Sequence, residues 1–597
     1  MSAQSSGSFT IGDWLVDPSA DRLSRGDLEV RIEPKAMAVL LRLARRPREV
    51  VSTEVLIEEV WRGRPMGDNP VYKCIAQLRK ALGDGQQAPA YIETIPRKGY
   101  RLIAAVGPAG ATVVSSQGRR IPVHAGPRSA ASTIAVLPFL DMSAEQDQAY
   151  FADGMAEELL NALAKTPSLR VIARSSSFAF KGQNPDIATV AGKLDVSHVL
   201  EGSVRKSGDR LRITAQLIDA RDSVHLWSET YDASLGDVLA LQHEIATEIA
   251  AALLPRLDAA AGRASARLNA TPTAAFDHYL KGRYFLQKFE EAFVRQARDH
   301  FQQALDLDPT FAQAWAGLAD TYKTLDYFAV LSPAEAARGT RAAAERALEL
   351  DAGLAEAHTS LAMVLTDYYF EWESAEQHFR DALRLNPSYA TAYQAYAEYL
   401  RDMGRFDEAL TMIGTAQRLD PLSPFHLLVE GIILDLGGRP AEAIARYERL
   451  LGMHPGYRMA HFYAALAYAN QGQHEATLAS IGKVDPEGRL PDAVAVRAAT
   501  LAALGRTSEA HEVLLELDDL AAERYVSPFL RALVRLALGE HSRAIDLLEQ
   551  AVEERSWFVR LFGVLPGLDP LRGEPRFRAL LQGVGLGGRR PAAAEPD

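Results

Sequence analysis

The second half of the chain repeats itself, and the length of the repeating unit restricts the fold more than any other feature. From residue 340 onward small residues recur every 33–35 positions, and glycines recur in phase with them. The small residues are Ala297, Thr340, Ala375, Ala409, Ala443, Ala476, Ala510 and Ala544, and the glycines are Gly404, Gly438, Gly472, Gly505 and Gly539. A unit of about 34 residues accommodates two short helices, and small side chains let these helices pack closely. The sequence therefore predicts about eight helical hairpins, stacked into an all-α superhelix over residues 270–552.

The repeating unit resembles the tetratricopeptide repeat, in which a proline follows the second helix. Here Pro309, Pro387, Pro421 and Pro455 take that position. Tetratricopeptide arrays form a concave groove that binds peptides or proteins, so the resemblance implies a protein or peptide partner in the groove. A scaffold or self-association role is the alternative. Residues 553–582 are expected to cap the last helix, and the Gly-, Ala- and Pro-rich residues 583–597 are expected to be disordered.

Composition limits the class of protein. The 597 residues are too many for one hydrophobic core, so several domains are expected. The content of 48% hydrophobic and 24% charged residues is that of an ordinary soluble protein. The single cysteine, Cys74, excludes a disulfide framework and indicates a reducing compartment. Because the sequence shows neither a signal peptide nor an apolar run of roughly 20 residues, we expect a cytoplasmic protein with no membrane partner.

Residues 1–106 are expected to form a small α+β module. Short alternating runs between residues 9 and 32 predict an antiparallel sheet, and helices are predicted to begin near Pro34, Ser52 and Asn69. The buried stripe of the third helix is predicted to consist of Val71, Ile75, Leu78 and Leu82. The module holds 16 Lys and Arg against 13 Asp and Glu, whereas the whole chain carries a net charge of −12. A mildly basic head on an acidic body is typical of a nucleic-acid-binding head.

The side of the third helix opposite the stripe is polar and basic. It presents Tyr72, Lys73, Ala76, Gln77 and Lys80. Glutamine can pair with adenine, and lysine with guanine or phosphate, so this face suits base edges in the major groove. A solvated surface is the alternative for such a helix taken alone.

Beyond that helix, residues 91–102 predict a β-hairpin with Arg97 and Lys98 at its tip and Gly99 in its turn. A helix followed by a cationic hairpin is the layout of a winged helix. In that layout the helix reads the major groove and the hairpin, or wing, contacts the backbone or the minor groove.

The module resembles the OmpR/PhoB-type winged-helix domain, most of all its CadC-like branch. The resemblance rests on Pro34-Lys35, Val50–Ser52, Leu56–Trp61, Val71, Ile75, Leu78–Asp84, Tyr91–Thr94 and Gly99–Arg101. It implies sequence-specific binding of double-stranded DNA. The residues expected to bind DNA are Asn69, Tyr72, Lys73, Gln77 and Lys80 toward the major groove, with Arg79, Arg97, Lys98 and Arg101 supplying phosphate or wing contacts. Pro70 and Ala76 depart from the family pattern, so the operator sequence is not predicted.

Residues 107–132 are expected to form a flexible linker, and residues 133–257 an α/β sandwich in which strands and helices alternate. This middle domain resembles the TolB N-terminal-like (FlgO-like) domain. The resemblance rests on Asp153-Gly154, Arg174–Ser177, Leu200–Val204, Gln216–Asp219 and His225–Trp227. It implies an interaction or sensory module, and a small-ligand pocket in this domain is a further hypothesis. The strand-end serines Ser175–Ser177 are interpreted as a helix cap or turn, because no catalytic, metal or cofactor motif accompanies them.

The three parts together predict a one-component transcription regulator with no enzymatic activity and no cofactor. A signal received by the middle or repeat region would alter the DNA-binding heads, which are expected to pair as a homodimer on DNA. The alternative from another class is a tetratricopeptide adaptor whose winged helix serves protein contacts. A regulatory subunit for a cyclase is a weaker alternative, because related middle and repeat regions accompany cyclase domains. Cys74 is expected to be a small buried thiol rather than a redox switch.

Overall fold

The computed structural model divides the chain into two compact units, Met1–Pro127 and Arg128–Asp597. The residues that the structure describes are 9–11, 14–18, 22–25, 28–44, 50–61, 70–82, 84, 91–95, 98–104, 106–108, 132–143, 148–166, 169–183, 185–207, 210–221, 224–234, 238–253, 271–328 and 330–587. Most of the predicted linker at 107–132 and of the predicted disordered tail at 583–597 lies outside these residues. Among the described helices, none is both long enough and apolar enough to cross a bilayer.

Antiparallel strands begin the first unit, as the alternating sequence runs predict. Its strands are β1 (Phe9–Ile11), β2 (Trp14–Asp17), β3 (Arg22–Arg25), β4 (Leu28–Arg31), β5 (Ile92–Ile95), β6 (Gly99–Leu102) and β7 (Val106–Pro108). Five of them form a sheet in the order β4-β3-β2-β1-β7, and β5 and β6 form a separate hairpin. Because β7 pairs with β1, the sheet continues past the predicted module boundary at residue 106.

Three helices share one hydrophobic core with this sheet. They are α1 (Pro34–Ala44), α2 (Thr53–Trp61) and α3 (Pro70–Leu82). The predicted stripe of α3 is confirmed, since Val71, Ile75, Leu78 and Leu82 are all buried in that core. The predicted cap of α2 is also present, because the Ser52 hydroxyl accepts a hydrogen bond from the Val55 amide. The predicted cap of α3, Asn69, lies outside the described residues.

The second unit begins with an α/β domain that has the predicted alternation of strands and helices. Its elements are β8 (Ser132–Val136), β9 (Leu140–Asp141), α4 (Ala149–Ala164), β10 (Leu169–Val171), α5 (Arg174–Phe178), α6 (Ile187–Leu194), β11 (His198–Ser207), β12 (Arg210–Asp219), β13 (Val224–Ser234) and α7 (Val238–Leu253). The sheet has the order β10-β8-β11-β12-β13, with β9 also beside β11. Its β10-β8-β11 part is parallel and its β11-β12-β13 part antiparallel.

Both faces of the parallel part of this sheet are covered. Along β8, Ile134 and Val136 belong to the larger core, which includes side chains of α4 and α7. Ala135, between them, belongs to a second core with Val190 and Leu194 of α6. Alternate residues of one strand thus face two layers, which makes this domain the predicted α/β sandwich.

Sixteen helices, paired into eight hairpins, follow the α/β domain in the described chain. They are α8 (Thr273–Leu286), α9 (Glu291–Leu307), α10 (Ala312–Tyr327), α11 (Pro333–Leu350), α12 (Ala355–Val364), α13 (Trp372–Leu385), α14 (Ala390–Asp402), α15 (Phe406–Leu419), α16 (Pro424–Leu436), α17 (Pro440–Met453), α18 (Arg458–Asn470), α19 (His474–Val484), α20 (Pro491–Ala503), α21 (Thr507–Glu523), α22 (Pro528–Ala537) and α23 (His541–Glu553). A π-helical turn, Leu365–Tyr369, extends α12. The predicted all-α array of about eight repeats is therefore confirmed.

The in-phase glycines make the turns inside the hairpins. Gly404, Gly438, Gly472, Gly505 and Gly539 have φ between +70° and +79°. Side chains with a β-carbon disfavour this left-handed conformation, so the periodic glycines follow from the turn geometry.

The small residue of the sixth repeat differs by one position from the prediction. Ala476 is only partly buried, whereas Thr477 is fully buried. Thr477 lies five residues after Gly472, just as the buried Ala443 lies five residues after Gly438. The glycine, rather than the nearest alanine, therefore marks the register of the repeat.

The predicted capping segment packs on the last repeats and also returns to the middle of the array. It contains two 3-10 turns, Trp557–Leu561 and Pro566–Leu571, and helix α24 (Pro575–Gly583). The ring of Phe558 stacks on that of Phe529 in α22, with centroids 4.6 Å apart. Val584, which the sequence assigned to the disordered tail, is instead buried, and its carbonyl accepts a hydrogen bond of 2.8 Å from the indole of Trp372 in the third repeat.

Arg560 of the capping segment reaches three carboxylates on the third and fourth repeats. Its guanidinium lies 2.6 Å from Asp367, 3.4 Å from Glu398 and 3.5 Å from Asp402. Asp402 is completely buried and also pairs with Arg401. Two arginines thus offset part of the desolvation of this carboxylate, although burial still raises its pKa.

The α/β domain packs directly on the first hairpin of the array. Glu157 of α4 forms ion pairs with Arg283 of α8 and with Arg174 of its own domain. Next to it, the Tyr279 hydroxyl donates a hydrogen bond of 2.8 Å to Glu158. The two arginines hold the pKa of the Glu157 carboxyl below its usual value despite its burial. We call the whole interface between the α/β domain and the array the seam.

A second set of seam contacts lies far along the array, after α13 and α15. Ser175 and Ser176 both donate hydrogen bonds to the Asp420 carboxylate. The Ser176 hydroxyl in turn accepts from the Leu422 amide at 2.9 Å. One repeat earlier in the array, the Ser388 hydroxyl donates a hydrogen bond of 3.2 Å to the Leu169 carbonyl. These contacts attach the α/β domain at two separate places of the array.

Candidate nucleic-acid interface

The outer face of α3 consists of the residues that are not buried in the hydrophobic core. Val71, Cys74, Ile75 and Leu78 point into the core, so the positions between them face away from it. On that side Ala76 is exposed and Gln77 is half-buried. Tyr72, Lys73 and Lys80 lie on α3, but their side chains are outside the described residues, and Asn69 is outside them altogether.

The β5–β6 hairpin is attached to the core through the segment before α2. The Val51 amide donates to the Tyr100 carbonyl at 2.8 Å, and the Tyr100 amide donates to the Val51 carbonyl at 3.0 Å. Gly99 has φ +128°, and a β-carbon placed there would stand 2.1 Å from the Val51 oxygen. Only glycine fits where the hairpin meets this segment.

The tip of the hairpin carries the predicted basic residues. The Lys98 amide closes the turn by donating to the Ile95 carbonyl at 3.0 Å, and its side chain is exposed. Arg97, the other predicted tip residue, lies outside the described residues. The hydrogen-bonded turn thus presents the Lys98 side chain to solvent.

Two of the predicted DNA-contacting arginines have partners within the domain. Arg79 of α3 donates from one guanidinium nitrogen to the Ile92 carbonyl and the Thr94 hydroxyl, both at 2.9 Å. Arg101 donates to Glu93 across the hairpin at 2.6 Å. Arg79 therefore ties α3 to β5, and Arg101 stiffens the hairpin.

Asp84 is a structural residue of the interface that the sequence did not reveal. Its carboxylate accepts hydrogen bonds from the amides of Tyr91 at 3.1 Å and Ile92 at 2.6 Å. Its own amide donates to the Arg79 carbonyl at 2.8 Å. The side chain is buried and fixes the start of β5 to the end of α3. The Leu-Gly-Asp sequence after the helix was the available signal, but it does not show which amides the carboxylate accepts from.

Cys74 is buried in the core between α3 and its neighbours, as expected. Burial raises the pKa of its thiol, and the nearby Glu33 carboxylate raises it further. Since the thiolate is the reactive form, this environment disfavours oxidation chemistry.

The serines of the α/β domain form a docking contact. Ser175 and Ser176 begin the short helix α5, and both donate to Asp420 of the array. Among the residues that the structure describes, no three His, Cys, Asp or Glu side chains are grouped so that they could hold a metal ion.

Two family models match the chain. Residues 27–102 match "Transcriptional regulatory protein, C terminal". The N-terminal unit contains a winged-helix domain of the OmpR/PhoB type. In the second unit, residues 130–248 match "HilA/YgeH-like transcriptional regulator, second domain". That match covers the α/β domain, for which the resemblance to the TolB N-terminal-like domain stays a prediction. Both models describe parts of transcriptional regulators.

Proteins similar to parts of the chain include a cyclase and two transcriptional regulators. Putative adenylate cyclase 3 of Rhizobium meliloti (strain 1021) is 38% identical over 236 residues, 39% of this chain and 40% of that protein. Transcriptional activator CadC of Escherichia coli (strain K12) is 36% identical over 97 residues, 16% of this chain and 19% of CadC. Transcriptional regulator HilA of Salmonella paratyphi A (strain ATCC 9150 / SARB42) is 24% identical over 423 residues, 69% of this chain and 70% of HilA. The matches thus span at most 40% of the first two relatives.

Proposed function

We propose that this protein is a sequence-specific, one-component transcription regulator that binds double-stranded DNA through α3 and the β5–β6 hairpin. The observation that carries the proposal is the paired hydrogen bonding of Val51 and Tyr100, which joins the hairpin to the helical core. Helix and wing then form one preformed binding surface. The two family models and the regulators CadC and HilA support the same function.

The predicted residues divide into two roles in this proposal. Asn69, Tyr72, Lys73, Gln77 and Lys80 face the major groove, and Arg97 and Lys98 contact the DNA backbone from the wing. Arg79 and Arg101 have hydrogen-bond partners inside the domain. In this proposal they therefore position other residues as well as contact phosphates. They hold α3 and the wing in the geometry that the duplex requires.

The second unit serves as the receiver of a signal. Its α/β domain and array are joined by the seam at two places, so a protein or small ligand bound to either part can influence the other. The signal would change the exposure or the pairing of the DNA-binding domains, which act as a homodimer in the cytoplasm. The hydrogen bonds of Ser175 and Ser176 to Asp420 give these serines a docking role in this proposal.

A protein partner of the array would use surface that the chain itself leaves uncovered. The α/β domain covers part of α8 and the segments around Ser388 and Asp420. The capping segment covers carboxylates of the third and fourth repeats through Arg560. The expected peptide partner is therefore proposed for the remaining repeat surface.

Selection of random duplex DNA near physiological salt tests the proposal. The full chain and the N-terminal unit, residues 1–127, are selected side by side. Enrichment of a paired motif by the full chain supports a regulator that binds as a dimer. Enrichment by the N-terminal unit alone supports a regulator in which the second unit inhibits DNA binding by the first. No enrichment by either protein rejects the proposal and favours the adaptor.

Salt titration of single variants tests the residue assignment. Lys73→Ala and Arg97→Ala should each weaken binding and reduce the slope of log affinity against log salt by about one, if each neutralises one phosphate. Arg22→Ala is the control, because Arg22 pairs with Asp17 and Glu29 in the N-terminal sheet. An unchanged slope in both test variants contradicts the assignment.

A further inference from the structure

The seam contains a cavity of about 210 Å³ with largely aromatic walls. Its lining residues are Tyr150, Lys281, Tyr284, Phe285 and His300. Tyr150 belongs to α4 of the α/β domain, whereas the other four belong to α8 and α9 of the first hairpin. Any molecule in this cavity would contact both parts of the second unit at once.

Stacked rings form one side of the cavity. The ring of Phe285 lies nearly parallel to that of His300, with an interplanar angle of 2° and centroids 5.4 Å apart. Phe293 stacks on Phe285 as well, at 5.9 Å and 12°. Tyr284 meets Phe285 edge-on, with centroids 5.6 Å apart. All four side chains are only partly buried, so a further planar ring can contact this group at its exposed edges.

Ammonium groups lie over the rings on two sides of the cavity. The Lys281 nitrogen is 5.2 Å from the ring centre of Tyr150, and the Lys206 nitrogen is 6.0 Å from it. On the other side, the Lys288 nitrogen is 4.8 Å from the ring centre of Tyr284. Two of these lysines come from the array and one from the α/β domain.

One carboxylate, that of Asp277, balances part of this positive charge. It accepts a hydrogen bond of 2.6 Å from the Tyr150 hydroxyl and lies 2.8 Å from the Lys281 nitrogen. The Lys206 nitrogen is farther away, at 3.6 Å. Lys288 has no carboxylate partner among the ion pairs of the described residues. The cavity wall itself is aromatic and apolar, and the net positive charge lies around it rather than on it.

We propose that this cavity binds a small aromatic anion, with its ring against Tyr284 and Phe285 and its acidic group toward Lys281. Ring stacking and the ammonium charge would act on the same ligand. The cavity is smaller than the usual 300–1,000 Å³ or so of drug-sized sites, which favours a single substituted ring. The site would supply the ligand for the sensing role in the proposed function. Only this regulatory role, and not the binding itself, rests on the proposed function.

Ligand-observed saturation-transfer NMR on the full chain tests the site with three probes of similar size. Benzoate has ring and charge, benzyl alcohol lacks the charge, and cyclohexanecarboxylate lacks the aromatic ring. We expect benzoate to bind at least about tenfold more tightly than either of the others. Equal binding of benzyl alcohol or of cyclohexanecarboxylate overturns the proposed ligand class. Absence of benzoate binding overturns the site.

Variants then locate the binding. Lys281→Gln and Phe285→Leu should each weaken benzoate binding roughly tenfold. Lys193→Gln is the matched control, because Lys193 also lies over a ring, that of Phe180, at 5.7 Å in a different part of the α/β domain. If the control weakens binding as much as the test variants, the site is wrong. DNA binding does not enter this measurement, so failure of the site and failure of the regulator proposal are distinguishable.

Discussion

A β-carbon on Gly99 would stand 2.1 Å from the carbonyl oxygen of Val51, closer than any non-bonded contact allows. Gly99→Ala should therefore separate the wing from the segment before α2 and break the two hydrogen bonds between Val51 and Tyr100. We expect the N-terminal unit to lose about 2–4 kcal/mol of unfolding free energy, from steric conflict and lost hydrogen bonds together.

Urea unfolding of the N-terminal unit measures this loss, and DNA affinity should fall with it. Lys98→Ala, one residue earlier, is the control for stability alone, because the Lys98 side chain is exposed and its proposed DNA contact would lower affinity by itself. It should leave stability within about 0.5 kcal/mol of the original value. Equal stability of both variants would show that the wing is not held at Val51.

Asp420→Ala tests the seam. The change removes the acceptor for both Ser175 and Ser176, and Ser176 is fully buried. Because an unsatisfied buried donor costs about 1–3 kcal/mol, the seam should open more often. Amide hydrogen exchange in α5 should accelerate by roughly tenfold or more.

Asp351→Ala provides the matched control for the seam. Asp351 follows α11 just as Asp420 follows α15, but its side chain accepts from the Gly353 amide within its own loop. Exchange in α5 should stay unchanged in this variant. The same acceleration in both variants would mean that the array, and not the seam, had loosened.

Two glycines of the fifth repeat should respond to alanine in opposite ways. Gly438 has φ +79° with open space around its β-carbon position, so Gly438→Ala introduces backbone strain alone. The cost should be about 1 kcal/mol. Gly452 also has open space but lies inside α17, so Gly452→Ala should stabilise the protein by about 0.5 kcal/mol through helix propensity. Chemical denaturation of both variants measures the difference, and a shift of the same sign in both would contradict the turn geometry.

The histidine pair of the third repeat should make the array sensitive to mild acid. The Nδ1 atoms of His358 and His378 are 2.8 Å apart. Burial lowers the pKa of both rings, and the charge of His358 lowers that of His378 further. Nearby charged groups change these pKa values less than burial does. Asp381 raises the pKa of both rings, Arg384 lowers that of His358, and Glu345 raises that of His378. Both pKa values stay below the usual value.

The sign of the effect follows from these shifts. A histidine whose folded pKa is depressed binds its proton more readily in the unfolded chain, where its pKa is about 6.5. The stability that the pair contributes is therefore full above that value and declines as the pH falls below it. Thermal melts from pH 7.5 to 5.5 should show a smaller decline for His378→Gln than for the original protein. His511→Gln, at an exposed position, should keep the original decline, and an equal decline in all three proteins would contradict the prediction.

Local sequence patterns predicted the helices and turns well, because the residues that determine each helix or turn lie within a few positions of one another. The stripe of α3 and the periodic glycines follow from helix and turn geometry alone. The one-residue displacement from Ala476 to Thr477 arose because two small neighbours satisfy the same pattern, and only packing distinguishes them.

Contacts between distant segments could not be predicted in this way. Ser176 meets Asp420 across 244 positions of sequence, and nothing near either residue indicates the other. The hairpin and Gly99 were predicted, but the reason for the glycine lies at Val51, in another element. The internal partners of Arg79 and Arg101 were missed for the same reason, because a basic residue looks the same in sequence whether it faces DNA or a neighbouring strand.

The ion pairs of Arg560 have a consequence for how the array can change length during evolution. Open solenoids gain and lose repeats easily because each unit contacts only its neighbours. Here the end of the chain is bonded to Asp367 and Asp402 in the third and fourth repeats. Inserting or deleting a repeat between them would carry the arginine away and leave a buried carboxylate short of one counter-charge. The number of hairpins between these repeats and the capping segment is thereby constrained by a contact that spans all of them.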